Sequence, residues 1–139
     1  MGRWVYNPHT GGKKIPPAVQ ERTKHRILTY ANAHYAGKFT RLGIRFRNQF
    51  CYIDAYTEPD PLPDTLPPDL PMTRQEFLDS LRNTPIHLCR LRYLGDEHAW
   101  SLAFYKYSDE KYEPCFFRNG TFQGTPEEAF DIGAVYLQP

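Results

Sequence analysis

Along residues 40–56, TRLGIRFRNQFCYIDAY, apolar side chains fall at every second position. Period two is the mark of a β-strand with one face turned to a core. A tight turn at Asn48-Gln49 pairs Leu42 with Ala55, Ile44 with Ile53 and Phe46 with Cys51, all apolar. The same register puts Arg41 beside Tyr56, Gly43 beside Asp54, Arg45 beside Tyr52 and Arg47 beside Phe50 on the other side. A slip of one residue would turn every apolar side chain outward, so the pattern itself predicts the register.

Upstream, Val19, Thr23, Ile27, Tyr30, Ala31 and His34 recur at three- and four-residue steps. That spacing predicts a helix over residues 17–36 with its stripe, His34 included, in the core. Pro17 suits the first turn and Gly37 the left-handed stop. Downstream, Thr73 and Glu76 form a capping box that opens a short helix burying Phe77, Leu78 and Leu81. Strands are expected at residues 86–94 and 99–107. A hairpin around Asn119-Gly120 should join residues 112–118 to 121–123. Thr125-Pro126-Glu127-Glu128 then caps a closing helix that buries Ala129, Phe130, Ile132, Val135 and Tyr136.

Strands clustered without helical crossovers imply an α+β fold. We expect one domain, with an antiparallel sheet of five to six strands and three helices. Two segments lack periodicity. Residues 1–15, with Gly11-Gly12-Lys13-Lys14, read as a flexible basic arm. Residues 57–72 hold six prolines and four acids and read as an extended acidic loop.

Composition narrows the classes. Of 139 residues, 40% are hydrophobic and 24% charged, which excludes collagen-like and wholly disordered chains. No apolar run approaches the roughly 20 residues that span a bilayer, and the N-terminus has no signal-like apolar stretch. Cys51, Cys89 and Cys115 are odd in number and lack CxxC spacing, so a cytoplasmic location is expected. Cys51, Cys89 and His87 offer three potential metal ligands, with His87 and Cys89 on one side of their strand, but no fourth ligand. Neither a metal nor another cofactor is implied.

Charge changes the picture more. Residues 1–50 carry ten Lys and Arg against one acid, a net of +9, whereas residues 51–139 carry seven against fifteen, a net of −8. Such a split points to a polyanion-facing surface, or to an acidic half lying against a basic one. Lys13, Lys14, Arg22, Lys24, Arg26, Arg41, Arg45 and Arg47 are the candidate polyanion contacts. Phe50, Tyr52 and Tyr56 are the candidate stacking platform, because flat rings accept unstacked bases and cations neutralise the phosphates between them.

The segments WVYNPHTGG, FCYIDAYTEP and GTPEEAFDIGAVYL resemble a short bacterial family, cyanobacterial members included, over nearly the whole chain. That resemblance implies no activity, cofactor or site residue. The tail CFFRNGTFQGTPEEAF is also similar to the strand-then-helix ending of HicB-type antitoxins, over less than a third of the chain. It lacks that family's leading strands, and no function is carried over from it.

The expected function is therefore a non-enzymatic module that binds a polyanion, single-stranded nucleic acid or RNA above all. The chain is expected to be a monomer or weak dimer with no membrane partner. A protein–protein adaptor using the acidic proline-rich loop or an edge strand is the alternative. A small hydrolase centred on Asp96, Glu97 and His98 is the third.

Overall fold

The computed structural model describes residues 11–62, 64, 69, 71–115, 117 and 120–137. Its elements run α1 (Pro17–His34), β1 (Arg41–Arg47), β2 (Phe50–Tyr56), α2 (Arg74–Arg82) and β3 (Ile86–Tyr93). They continue with β4 (Trp100–Lys106), β5 (Lys111–Cys115), β6 (Gln123–Gly124) and α3 (Pro126–Gly133), and end in a 3₁₀ turn over Ala134–Leu137. This is the expected single α+β domain. All strand pairs are antiparallel, in the order β1-β2-β3-β4-β5, with β6 also on β4.

The β1–β2 register is the one that alternation dictates at all seven positions, from Arg41 opposite Tyr56 to Arg47 opposite Phe50. Asn48 takes a left-handed conformation (φ 55°) to close the turn. The apolar sides of β2, β3 and β4 supply Cys51, Ile53, Leu91 and Leu102 to one core, all essentially inaccessible. The stripe of α1 (Val19, Thr23, Ile27 and Ala31) is buried, and α3 adds Ala129 and Phe130. The two helices pack on each other and on this side of the sheet. The opposite side of the sheet is therefore the one on which Arg41, Arg45 and Arg47 stand.

Four expectations need correction. His34 is exposed: the helix ends there, and the ring lies against Tyr30 at 4.3 Å instead of entering the core. No residue of α2 is buried; Phe77 and Leu78 are half-covered, and Leu81 remains 39% exposed. In the closing helix Ala129 and Phe130 are buried, but Val135 falls in the 3₁₀ turn and is exposed. Among the described residues the expected Asn119-Gly120 hairpin does not pair β5 with β6, and Asn119 itself lies outside the described residues. β5 pairs with Leu102–Lys106 of β4 and β6 with Trp100 and Ser101, so both extend along one side of the longer strand. The local turn signal was sound, since Phe117 N–H donates to Thr121 O and Gly120 (φ 80°) sits between them. The partner was chosen by tertiary packing, because Phe117 is buried directly over Gly124.

The basic arm divides. Residues 1–10 lie outside the described residues. From Gly11 the chain is held: Lys13 N–H donates to Tyr93 O, Ile15 N–H donates to Asn48 O, and the Ile15 side chain is fully buried. Residues 11–15 thus cross the end of the sheet to reach α1. Of the proline-rich segment, residues 63, 65–68 and 70 also lie outside the described residues.

Candidate functional site

The sheet side opposite α1 and α3 is built from cross-strand rows. One row runs Arg47, Phe50, Arg92 and Ser101 across β1 to β4, and the next runs Arg45, Tyr52, Arg90 and Ala103. A third sets Gly43 and Asp54 beside His87, whose ring lies 4.6 Å from Tyr105, itself opposite Tyr112. Arg41 and Tyr56 close the edge.

Cations and rings are stacked on this surface. The Arg41 guanidinium carbon lies 3.5 Å from the Tyr56 ring centre, and that of Arg45 lies 5.0 Å from Tyr52. Arg90 sits over Phe50 at 4.2 Å and near Tyr112 at 5.2 Å. Such contacts hold each cation in place for about 0.5–2 kcal/mol apiece without neutralising it. Arg41, Arg45 and Arg47 stay exposed, while Arg90 and Arg92 are buried beneath their neighbours. Burial pushes the Arg90 guanidinium below its usual range, although Tyr52 opposes the shift.

Asp54 is the one acid of these rows, and its carboxylate is only 6% exposed. It accepts from His87 Nδ1 at 2.9 Å and from Arg45 Nη2 at 3.3 Å. Tyr107 Oη accepts from the His87 backbone N–H at 2.8 Å, so the residue is held at its main chain by Tyr107 and at ring Nδ1 by Asp54. Tyr112 Oη is buried beside this group with no hydrogen-bond partner among the described residues. Burial first, and then the Asp54 charge, push that phenol well above its usual range.

The candidate cations therefore fall on two surfaces. Arg41, Arg45 and Arg47 share the open sheet side with Phe50, Tyr52 and Tyr56. Lys13 and Lys14 are exposed where the chain crosses the sheet end; Lys13 lies near Gly95, and Gly12 lies against Arg92. Arg22, Lys24 and Arg26 belong to α1, across the sheet from the others. Lys24 is exposed. Arg22 forks onto Glu97 at 2.9 and 2.8 Å, and Arg26 forks onto Glu127 at 2.9 and 2.6 Å.

The same contacts explain Asp96, Glu97 and His98. Glu97 holds Arg22, Asp96 accepts from the His98 amide, and His98 Nδ1 lies 2.9 Å from Arg26 Nη1. The loop clasps α1, and the Arg22 hydrogen bond keeps the Glu97 carboxyl below the usual range.

His87 was missed as a site residue because of one backbone event. Simple alternation places it with Cys89. The register shifts between Ile53 and Asp54, however, so Cys89 faces Ile53 in the core while His87 faces Asp54 on the open side. Leu88 is the extra residue, a β-bulge, and such bulges re-aim side chains. Cys51 and Cys89 are fully buried, which pushes both thiols up, and among the described residues no metal-ligand cluster of three forms. Arg90 and Arg92 were within reach of the sequence, since alternation with Leu91 puts both on the polar side.

Among the described residues no helix is long and apolar enough to cross a membrane. The chain matches no family model, no curated protein and no solved structure.

Proposed function

We propose that this protein binds single-stranded nucleic acid, RNA above all, on the open side of its sheet. One observation carries the reading: exposed Arg41, Arg45 and Arg47 lie in rows with Tyr56, Tyr52 and Phe50 on the sheet side that α1 and α3 leave uncovered. Each guanidinium over a ring is a flat cation that accepts a base on its outer surface and reaches a phosphate with its edge. The rows are two residues apart along the strands, about 6.7 Å, so an extended strand running along β1 and β2 meets a cation and a ring repeatedly. Arg90 and Arg92 deepen the positive potential beneath the platform, and burial there weakens its screening by salt. Backbone contacts of this kind hold a strand without reading its sequence.

The stacking part of the reading is tested by comparing an oligonucleotide with a polyanion that has no bases, such as polyphosphate. We expect Tyr52→Ala to weaken oligonucleotide binding by about 1–3 kcal/mol and to leave polyphosphate binding nearly unchanged. Equal affinity for both polyanions, with no effect of the ring, would reduce the surface to a plain charge patch.

A further inference from the structure

We propose that the same surface cleaves the RNA it holds: His87, ordered by Asp54, acts as general base toward a 2′-hydroxyl whose neighbouring phosphate is held by Arg45. The inference rests on the single-strand reading above and adds chemistry to it.

The ionised Asp54 carboxylate can only accept, so His87 Nδ1, 2.9 Å away, carries the hydrogen. The lone pair is then on Nε2. Among the described residues Nε2 has no hydrogen-bond partner, and the side chain is 29% exposed, so the basic nitrogen opens outward. The ring is held by Asp54, by the Tyr107 contact to its backbone and by the Tyr105 face at 4.6 Å. A base fixed by an orienting carboxylate is half of a catalytic constellation.

Arg45 supplies the other half. It shares the Asp54 carboxylate with His87, so guanidinium and imidazole sit on two sides of one acid. Its side chain is 60% exposed and has spent one donor on Asp54, leaving others for a phosphate that develops charge. RNA brings its own nucleophile, so the protein needs no serine or thiolate. This suits a site in which Cys51 and Cys89 are buried with their thiols pushed up. Arg41 and Arg47 flank Arg45 along β1 and would hold the adjoining phosphates.

The step balances. Nε2 takes the 2′ proton as O2′ forms a bond to phosphorus and the P–O5′ bond breaks. The electron pair goes to O5′, which takes a proton from water, and the imidazolium returns its proton to the hydroxide. The products are a 2′,3′-cyclic phosphate and a 5′-hydroxyl end.

The test incubates the full chain, with chelator present, with a labelled single-stranded RNA, its all-deoxy counterpart and its 2′-O-methyl counterpart. We expect only the RNA to shorten, with cyclic phosphate ends. His87→Gln, purified identically, should lower cleavage by about 10²-fold or more while binding the deoxy strand as before. Asp54 is a positioning residue: Asp54→Asn should lower kcat while deoxy-strand affinity is kept or raised, since Arg45 loses its acid partner, whereas a structural role would weaken binding as well. Bound but uncut RNA overturns the cleavage proposal and leaves the binding reading intact. Cleavage that persists in His87→Gln or in the 2′-O-methyl strand overturns it too, and that second arm needs no protein variant. Failure to bind any strand removes both readings.

Discussion

Leu88 and Gly133 meet where α3 lies on β3. A β-carbon added at Gly133 would stand 2.9 Å from both Leu88 Cβ and Leu88 O, and a strand carbonyl cannot swing aside. Helix propensity favours alanine over glycine by about 1 kcal/mol, while overpacking costs about 1–3 kcal/mol or more. The clash is with backbone, so overpacking wins. Gly133→Ala should therefore lose about 1–2 kcal/mol in urea denaturation, and a gain in stability would contradict the close approach of helix and strand. The same Leu88 is the bulge that turns His87 to the open side. No local residue type announces it, because a bulge depends on how β2 and β3 settle against each other. That is why the dyad was illegible while the hairpin beside it was not.

Among the elements, the β1–β2 hairpin could be read in full, since both partners lie within seventeen residues and the observed register puts all six apolar side chains on one side. α2 was legible as a helix but not in its packing. Thr73 Oγ1 accepts from Glu76 N–H, yet Leu81 stays exposed, so capping predicted existence and not burial. The pairing of β5 and β6 with one strand had no local signature either. α1 is tied by two arginine forks, and the one to Glu127 gives a pH dependence with a definite sign. Burial raises the Glu127 carboxyl, but the Arg26 hydrogen bonds, a backbone hydrogen bond and the Arg26 charge together outweigh it and hold the group below its usual range. A folded-state value below the unfolded one means the contribution is complete above about pH 4.3 and is lost as pH falls toward the lower folded value. Thermal unfolding scanned from about pH 6 to about pH 3 should show a loss that Glu127→Gln flattens. An unchanged acid limb in that variant would show that the fork adds nothing.

For the whole molecule, the contrast of +9 and −8 between the chain's two parts is partly spent on folding. Arg22 and Arg26 meet acids from the second part, and those pairs clasp α1 to the β3–β4 loop and to α3. The arginines of β1 are different. Arg45 alone pairs with an acid in its rows; Arg41 lies over Tyr56 and reaches Asn83 Oδ1 at 3.5 Å, and Arg47 is exposed opposite Phe50. Charges on this strand also guard a sheet edge, since an arginine-bearing edge discourages pairing with another chain. A purely protective role would need charge, but no aromatic partners at each step. The sequence contains the residues of both sets and could not separate them, because only packing decides which side of a sheet a helix covers.

The central claim is that binding belongs to the β1 arginines, and the most direct measurement is the salt dependence of affinity for a labelled single-stranded oligonucleotide. For the wild type we predict affinity falling steeply with salt, by about 0.7 in log–log slope per phosphate contact. Arg45→Ala/Arg47→Ala should make the slope shallower by one to two contacts, about 0.7–1.4. Arg22→Ala/Arg26→Ala should lower stability and leave the slope unchanged. A slope that is flat in the wild type, or that changes only with the α1 pair, would contradict the account.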